Sequence, residues 1–167
     1  VIYDAVEKAH EIILANYATD MAAVIASKAG LTGIVATATI EKRQDVRKSI
    51  TLGAAKPTIS IWGRGADTQA KVGTGWRDNV NAVLLDYFCN GTDPVAVAIQ
   101  AELAAEALMR CVDKMPNSGG SGGVFGAAEM VGSARVDLSD GYEKDGAGKW
   151  YRTARVTFPL TDRDEPV

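Results

Sequence analysis

Histidine is all but missing from this chain: His10 is the only one in 167 residues. A single imidazole excludes an HExxH zinc site, and any Ser-His-Asp or Cys-His arrangement would have to be built on His10. That residue lies in a helical stretch beside its apolar face, where a surface or hydrogen-bonded role is the plainer reading. Cysteine is scarce as well. Cys89 and Cys111 are far apart, with no CxxC spacing, and are expected to be reduced core residues behaving as small hydrophobes, with a disulfide between them as the alternative that only geometry decides. No GxxxxGK[ST] phosphate loop is present. Gly119-Gly120-Ser121-Gly122-Gly123 has the glycines but no lysine, and Gly73-Thr74-Gly75 opens a strand pattern where a phosphate loop opens a helix. There is no basic excess: the net charge of −3 argues against a dedicated nucleic-acid binder. Apolar runs are too short and interrupted to span a membrane, and Val1 to Glu7 lacks the basic start and apolar stretch of a secretory leader. The expected place of synthesis is the cytoplasm, with no membrane partner.

What is present is ordinary globular composition. With 47% apolar and 23% charged residues, the chain has material for one core at a size that needs no staples. From Tyr3 to Lys28, apolar residues Val6, Ala9, Ile13, Tyr17, Met21, Val24 and Ile25 recur at three-to-four spacing, which predicts an amphipathic helix ended by Gly30. Ile34–Ile40 is β-branched and reads as a strand. The mixed charges of Glu41 to Lys48 read as a solvated turn or short helix, or as a contact surface for a charged partner. Pro57 to Trp62 reads as another strand, and Gly63 to Gly75 as a flexible glycine-rich loop. Trp76 to Tyr87 predicts a long strand, its apolar face carrying Trp76, Val80, Ala82 and Leu84 against Arg77, Asn79 and Asn81.

Asp93-Pro94 is a helix start, and the stripe Val95, Ile99, Leu103, Ala107, Leu108, Cys111, Val112 predicts a second long helix running to Met115. Asn117 to Gly123 is a flexible internal loop by composition. Phe125 to Leu138 and Trp150 to Leu160 then form a hairpin. The last segment is the clearest: Trp150, Arg152, Ala154, Val156, Phe158 and Leu160 alternate with Tyr151, Thr153, Arg155 and Thr157, the period of a strand buried on one face. The expected fold is one α+β domain: a two-layer sandwich of a mainly antiparallel sheet packed by two long amphipathic helices.

Asp86, Glu102 and Glu106 are the best carboxylates for a reaction or a cation, Glu102 and Glu106 standing one helical turn apart. A solvated stripe is the plainer reading, and no catalytic, cofactor or metal residue is assigned. Arg64, Arg77, Arg152 and Arg155, with Trp62, Trp76, Trp150 and Tyr151, suggest a base-stacking surface, against the plainer reading of the tryptophans as core or interface anchors.

Three features together resemble the tail-terminator, or tail-completion, proteins of long-tailed phages. An amphipathic helix, Tyr3 to Lys28, precedes strands. A strand ending in Asp86-Tyr87-Phe88 leads through Asp93-Pro94 into the alanine-rich helix Val95 to Leu108. A terminal strand, Trp150 to Leu160, finishes the sheet. The resemblance lies in order and pattern and covers most of the chain. It implies a structural virion protein without catalytic residues, located in the tail neck. Such a protein forms a homo-oligomeric ring, typically of six subunits, between the tail-tube protein and the head-completion or stopper protein. DNA would cross its lumen without sequence-specific binding. The expected contact residues are Arg64, Asp67, Lys71, Arg77, Ser118, Ser121, Arg152 and Arg155. A different neck or tail-tube subunit is the nearest alternative, and a small ligand-binding or enzymatic domain the next.

Overall fold

The computed structural model describes residues 2–43, 56–70, 77–115, 134–143 and 148–164. It is an α+β structure in which two helices pack on a mixed sheet. In chain order the elements are α1 (Ile2–Ala26), β1 (Thr39–Lys42), β2 (Thr58–Ala70), β3 (Arg77–Gly91), α2 (Pro94–Val112), β4 (Arg135–Leu138), β5 (Tyr142–Glu143) and β6 (Trp150–Asp164). The sheet runs β1-β2-β3-β6-β4, with β5 also on β6. β1 is parallel to β2 and every other described pairing is antiparallel.

Both helices lie against one face of the sheet. Ile59 and Ile61 of β2, Val83, Leu85, Tyr87 and Cys89 of β3, and Ala154, Val156, Phe158 and Leu160 of β6 form one core with helix residues such as Ile13, Tyr17, Met21, Ala104 and Leu108. The alternation expected for Trp150 to Leu160 is therefore the observed one. Asp93 caps α2 as expected, its carboxylate accepting from the Val95 N–H at 2.9 Å, with Pro94 in the first turn. Gly30 takes φ 76° just past α1, the left-handed conformation that glycine adopts without cost.

Three expectations need correction. In β3 the buried face in the first half carries Asn79 and Asn81, at 1% and 0% exposure, while Val80 and Ala82 are only partly buried. The polar residues go inward because they find partners there: the Asn81 amide donates to the Leu160 carbonyl at 3.0 Å. Residues 34–38 are not a strand, and β1 starts only at Thr39. The backbone of Val35 is instead satisfied by a side chain. Gln100 of α2 accepts from the Val35 N–H and donates to its carbonyl, both at 2.8 Å, and donates also to the Tyr87 hydroxyl at 2.8 Å.

The third correction concerns the glycine-rich segment. β2 runs on from Gly63 to Ala70, paired with β3 throughout, where a loop is expected from composition. A register shift between Gly63 and Gly65 marks a β-bulge. Gly63 is there for space, since a Cβ at this position would run into the Ile2 side chain at the start of α1. Residues 71–75 of that segment, the whole of 117–123, residues 44–48 of the charge cluster and 125–133 of the expected hairpin lie outside the described residues. The described part of that cluster is internal: Lys42 and Arg43 both bind Glu7 of α1 at 2.7 Å, and Arg43 also covers the Tyr3 ring, 4.4 Å from its centroid.

The two glycines of the bulge separate packing from backbone freedom. Gly63→Ala should lower stability by about 1–3 kcal/mol, the range for overpacking a filled site. Gly65→Ala, whose Cβ meets open space, should leave the unfolding free energy from urea titration within about 0.5 kcal/mol of the parent, the range for a neutral surface change.

Candidate interface on the sheet face opposite the helices

Period-two alternation that turns Leu85 and Tyr87 toward the helices turns Leu84, Asp86 and Phe88 the other way. Cross-strand register adds Ser60 and Trp62 from β2, Thr153, Arg155 and Thr157 from β6, and Arg135 and Asp137 from β4 to that opposite face. Asp86 is its centre. Arg155 donates to it through Nε at 2.6 Å and Nη2 at 2.9 Å, a two-pronged pairing, and the Trp62 indole N–H donates at 2.8 Å. The Arg155 guanidinium also stands 5.6 Å from the Trp62 ring centroid. The Asp86 side chain is 7% exposed and that of Arg155 46%. The pair thus joins a buried carboxylate to a cation reaching the surface, and the bond to Asp86 raises the Arg155 pKa. Beside it Arg135 and Asp137 pair at 2.8 Å.

Arg155, Arg135 and Asp137 line a shallow concavity of about 510 Å³ with Arg64, Leu84 and Pro159. Three guanidiniums and the Asp137 carboxylate around it, with Asp86 buried beneath Arg155, make a mixed-charge surface. Such a surface fixes the orientation and register of a docked partner by complementarity. Phe88 and Tyr151 stack farther along the same face, with ring centroids 5.4 Å apart.

Of the eight contact residues expected from sequence, Arg64 and Arg155 meet in this concavity. Asp67 is exposed on the same face of β2, opposite Val80. Arg152 lies on the helix side: it donates through Nε to the Ser139 carbonyl at 3.0 Å and reaches Glu102 of α2 at 3.7 Å. Arg77 is the first residue of β3, paired with Ala70 and Asp164. Lys71, Ser118 and Ser121 lie outside the described residues, as does Trp76. Arg135 and Asp137 were missed, although the alternation Arg135-Val136-Asp137-Leu138 was a usable signal.

The carboxylates of the enzyme reading do not converge. Asp86 faces away from the helices. Glu102 and Glu106, with side chains 54% and 40% exposed, sit on α2, where Glu106 pairs with Arg110 at 3.1 Å and Lys28 at 3.5 Å. No group of three or more metal-ligating side chains forms among the described residues. Cys89 and Cys111 are free and buried, and burial pushes each thiol up to about 12, so neither is a thiolate at neutral pH. Burial and the neighbouring Lys42 lower the His10 pKa. The two described tryptophans do not share a platform: Trp62 is on the Asp86 face, while Trp150 packs against the helix-side core. No helix among the described residues is long and apolar enough to cross a membrane. No family model and no curated protein matches the chain.

Arg155→Ala should destabilise the protein by about 1–3 kcal/mol in urea unfolding at neutral pH. This is less than for a fully buried pair, because Arg155 is half exposed. It should also shift Trp62 fluorescence, whereas Arg64→Ala should leave both unchanged. A separate pH effect comes from Glu7, held down to about 2 by its bonds to Lys42 and Arg43. Because the folded value lies below the ordinary 4.5, the stabilisation is complete above that pH and is lost as pH falls toward 2. The urea-midpoint gap between the parent and Glu7→Gln should be constant from neutral pH down to about 4.5 and shrink below it.

Proposed function

We propose that this chain is a structural virion subunit that closes the head-proximal end of a phage tail tube as a ring. In this role it joins the tube to the head-completion or stopper proteins. Its finer architecture is a two-layer sandwich in which two long amphipathic helices back a mainly antiparallel sheet. The observation that carries the reading is the face opposite the helices. It is held rigid by the Arg155–Asp86–Trp62 bonds and is patterned with both charge signs. A surface of that kind suits recognition of a neighbouring protein ring. The element order, helix, strands, long helix, strands, is also the one implied by the resemblance to tail-terminator proteins.

The contacts assigned to the tube or stopper are Arg64, Asp67, Arg135 and Arg155. The ring is a homo-oligomer, typically of six copies, with DNA crossing its lumen without base readout. Among the neighbouring roles a tube subunit is disfavoured, because α2 separates β3 from β4, β5 and β6 where a tube protein offers continuous hairpins.

Light scattering and electron microscopy of the purified chain, alone and mixed with tail tubes purified from the same phage, test this. Rings, or caps on tube ends, are the expected result. A monomer that leaves tube ends bare contradicts it.

A further inference from the structure

Charge on the face opposite the helices is unevenly committed. Arg155 gives both Nε and Nη2 to Asp86, and Arg135 is held by Asp137 at 2.8 Å. Each of these guanidiniums is balanced by a carboxylate of its own chain. Arg64 is not. It is exposed in the same concavity, and among the described residues it has neither a hydrogen-bond nor an ion-pair partner. With three guanidiniums set against Asp137 and the buried Asp86, the concavity carries one positive charge in excess, in a chain whose net charge is −3.

The backbone of β2 shapes the surroundings of this arginine. Trp62 faces away from the helices and Gly63 toward them, where a Cβ would run into Ile2. Strict alternation from there would send Asp67 to the helix side. The bulge adds one residue, so Gly65 falls opposite Ala82 and Asp67 opposite Val80, both on the face away from the helices. Arg64 and Asp67 therefore share that face, roughly 10 Å apart along the strand at about 3.3 Å per residue. Asp67 is exposed too, and it has no partner among the described residues. Between them the surface is open: a Cβ on Gly65 would meet nothing within 4 Å.

We infer that Arg64 anchors a carboxylate of the neighbouring protein ring, from an aspartate or glutamate that has a lysine or arginine close by to meet Asp67. A guanidinium whose donors are all free grips a carboxylate with two parallel bonds, in a geometry that a lysine does not reproduce. Arg135 and Arg155 have already turned their forks to Asp137 and Asp86. They act as fixed surroundings, while Ala82 and Pro159 give the concavity an apolar floor. Nucleic acid fits this surface poorly. A polyphosphate is held by several uncompensated cations, each releasing a counterion; here there is one, with Asp67 and Asp137 beside it. The inference rests on the ring reading and names the chemistry by which the ring recognises its partner.

Binding of the purified chain to tail tubes and, separately, to the head-completion proteins, both from the same phage, tests this at low and at physiological salt. Arg64→Ala should weaken binding to one of them about tenfold or more and flatten its salt dependence. Arg64→Glu should abolish that binding, and Arg64→Lys should recover part of the loss. The variants should keep the parent's urea midpoint, since Arg64 bonds to no described residue. Equal binding by the parent and Arg64→Ala would overturn the anchor while leaving the ring reading standing. Binding of the parent to random-sequence duplex DNA that Arg64→Ala loses, with partner binding unchanged, would also overturn it and assign Arg64 to phosphate. A parent that binds neither tubes nor head-completion proteins would overturn both.

Discussion

The register of β3 is the constraint on which the rest of the structure depends. This strand pairs with β2 on one side and along its whole length with β6 on the other. Its alternation decides what each sheet face is made of. In the observed register Val83, Leu85, Tyr87 and Cys89 meet the helices, and Leu84, Asp86 and Phe88 meet the far face. A slip of one residue would turn the Asp86 carboxylate to the helix side and Tyr87 away from it. The Arg155–Asp86–Trp62 bonds oppose such a slip because they join β2, β3 and β6 at one level. The interface chemistry and the fold are therefore held by the same atoms.

Around this sheet the helices are tied by a few directed bonds in addition to apolar burial. Lys42 and Arg43 join β1 to Glu7 at the start of α1. Lys114 reaches Asp20 at 2.7 Å, joining the far end of α1 to the end of α2, with the Cys111 thiol 3.3 Å from the same carboxylate. Gln100 holds the irregular segment before β1 against α2 and Tyr87. Arg43 takes a left-handed φ of 58°, uncommon for a residue with a side chain, and its bonds to Glu7 and to the Tyr3 carbonyl hold it there.

Much of this was legible in the sequence, for identifiable reasons. α1, α2 with its Asp93-Pro94 start, and β6 carry long periodic patterns, and pattern reports which face is buried. The errors fall where a tertiary contact overrides local composition. Glycine discourages a strand, yet Gly63 is needed because Ile2 packs on it. Asparagine suggests an exposed face, yet Asn81 finds a carbonyl across the strand. Ile34 to Ile40 is β-branched, yet only Thr39 and Ile40 join a strand, and at Val35 the Gln100 amide of α2 supplies the hydrogen bonds that a neighbouring strand would have given. At the candidate interface, Arg64 and Arg155 were identified from residue type. Their neighbour Arg135, and the use of Asp86 as an anchor for Arg155, depend on cross-strand register, which composition does not reveal.

In the proposed role, the mixed-charge face opposite the helices is the surface that meets the neighbouring protein ring. Immunogold labelling of intact phage particles, with antibody raised against the purified chain, tests the central claim most directly. The account predicts gold at the head-proximal end of the tail, at the junction with the head. Gold spread along the tube, confined to the distal tip, or absent from particles would contradict it.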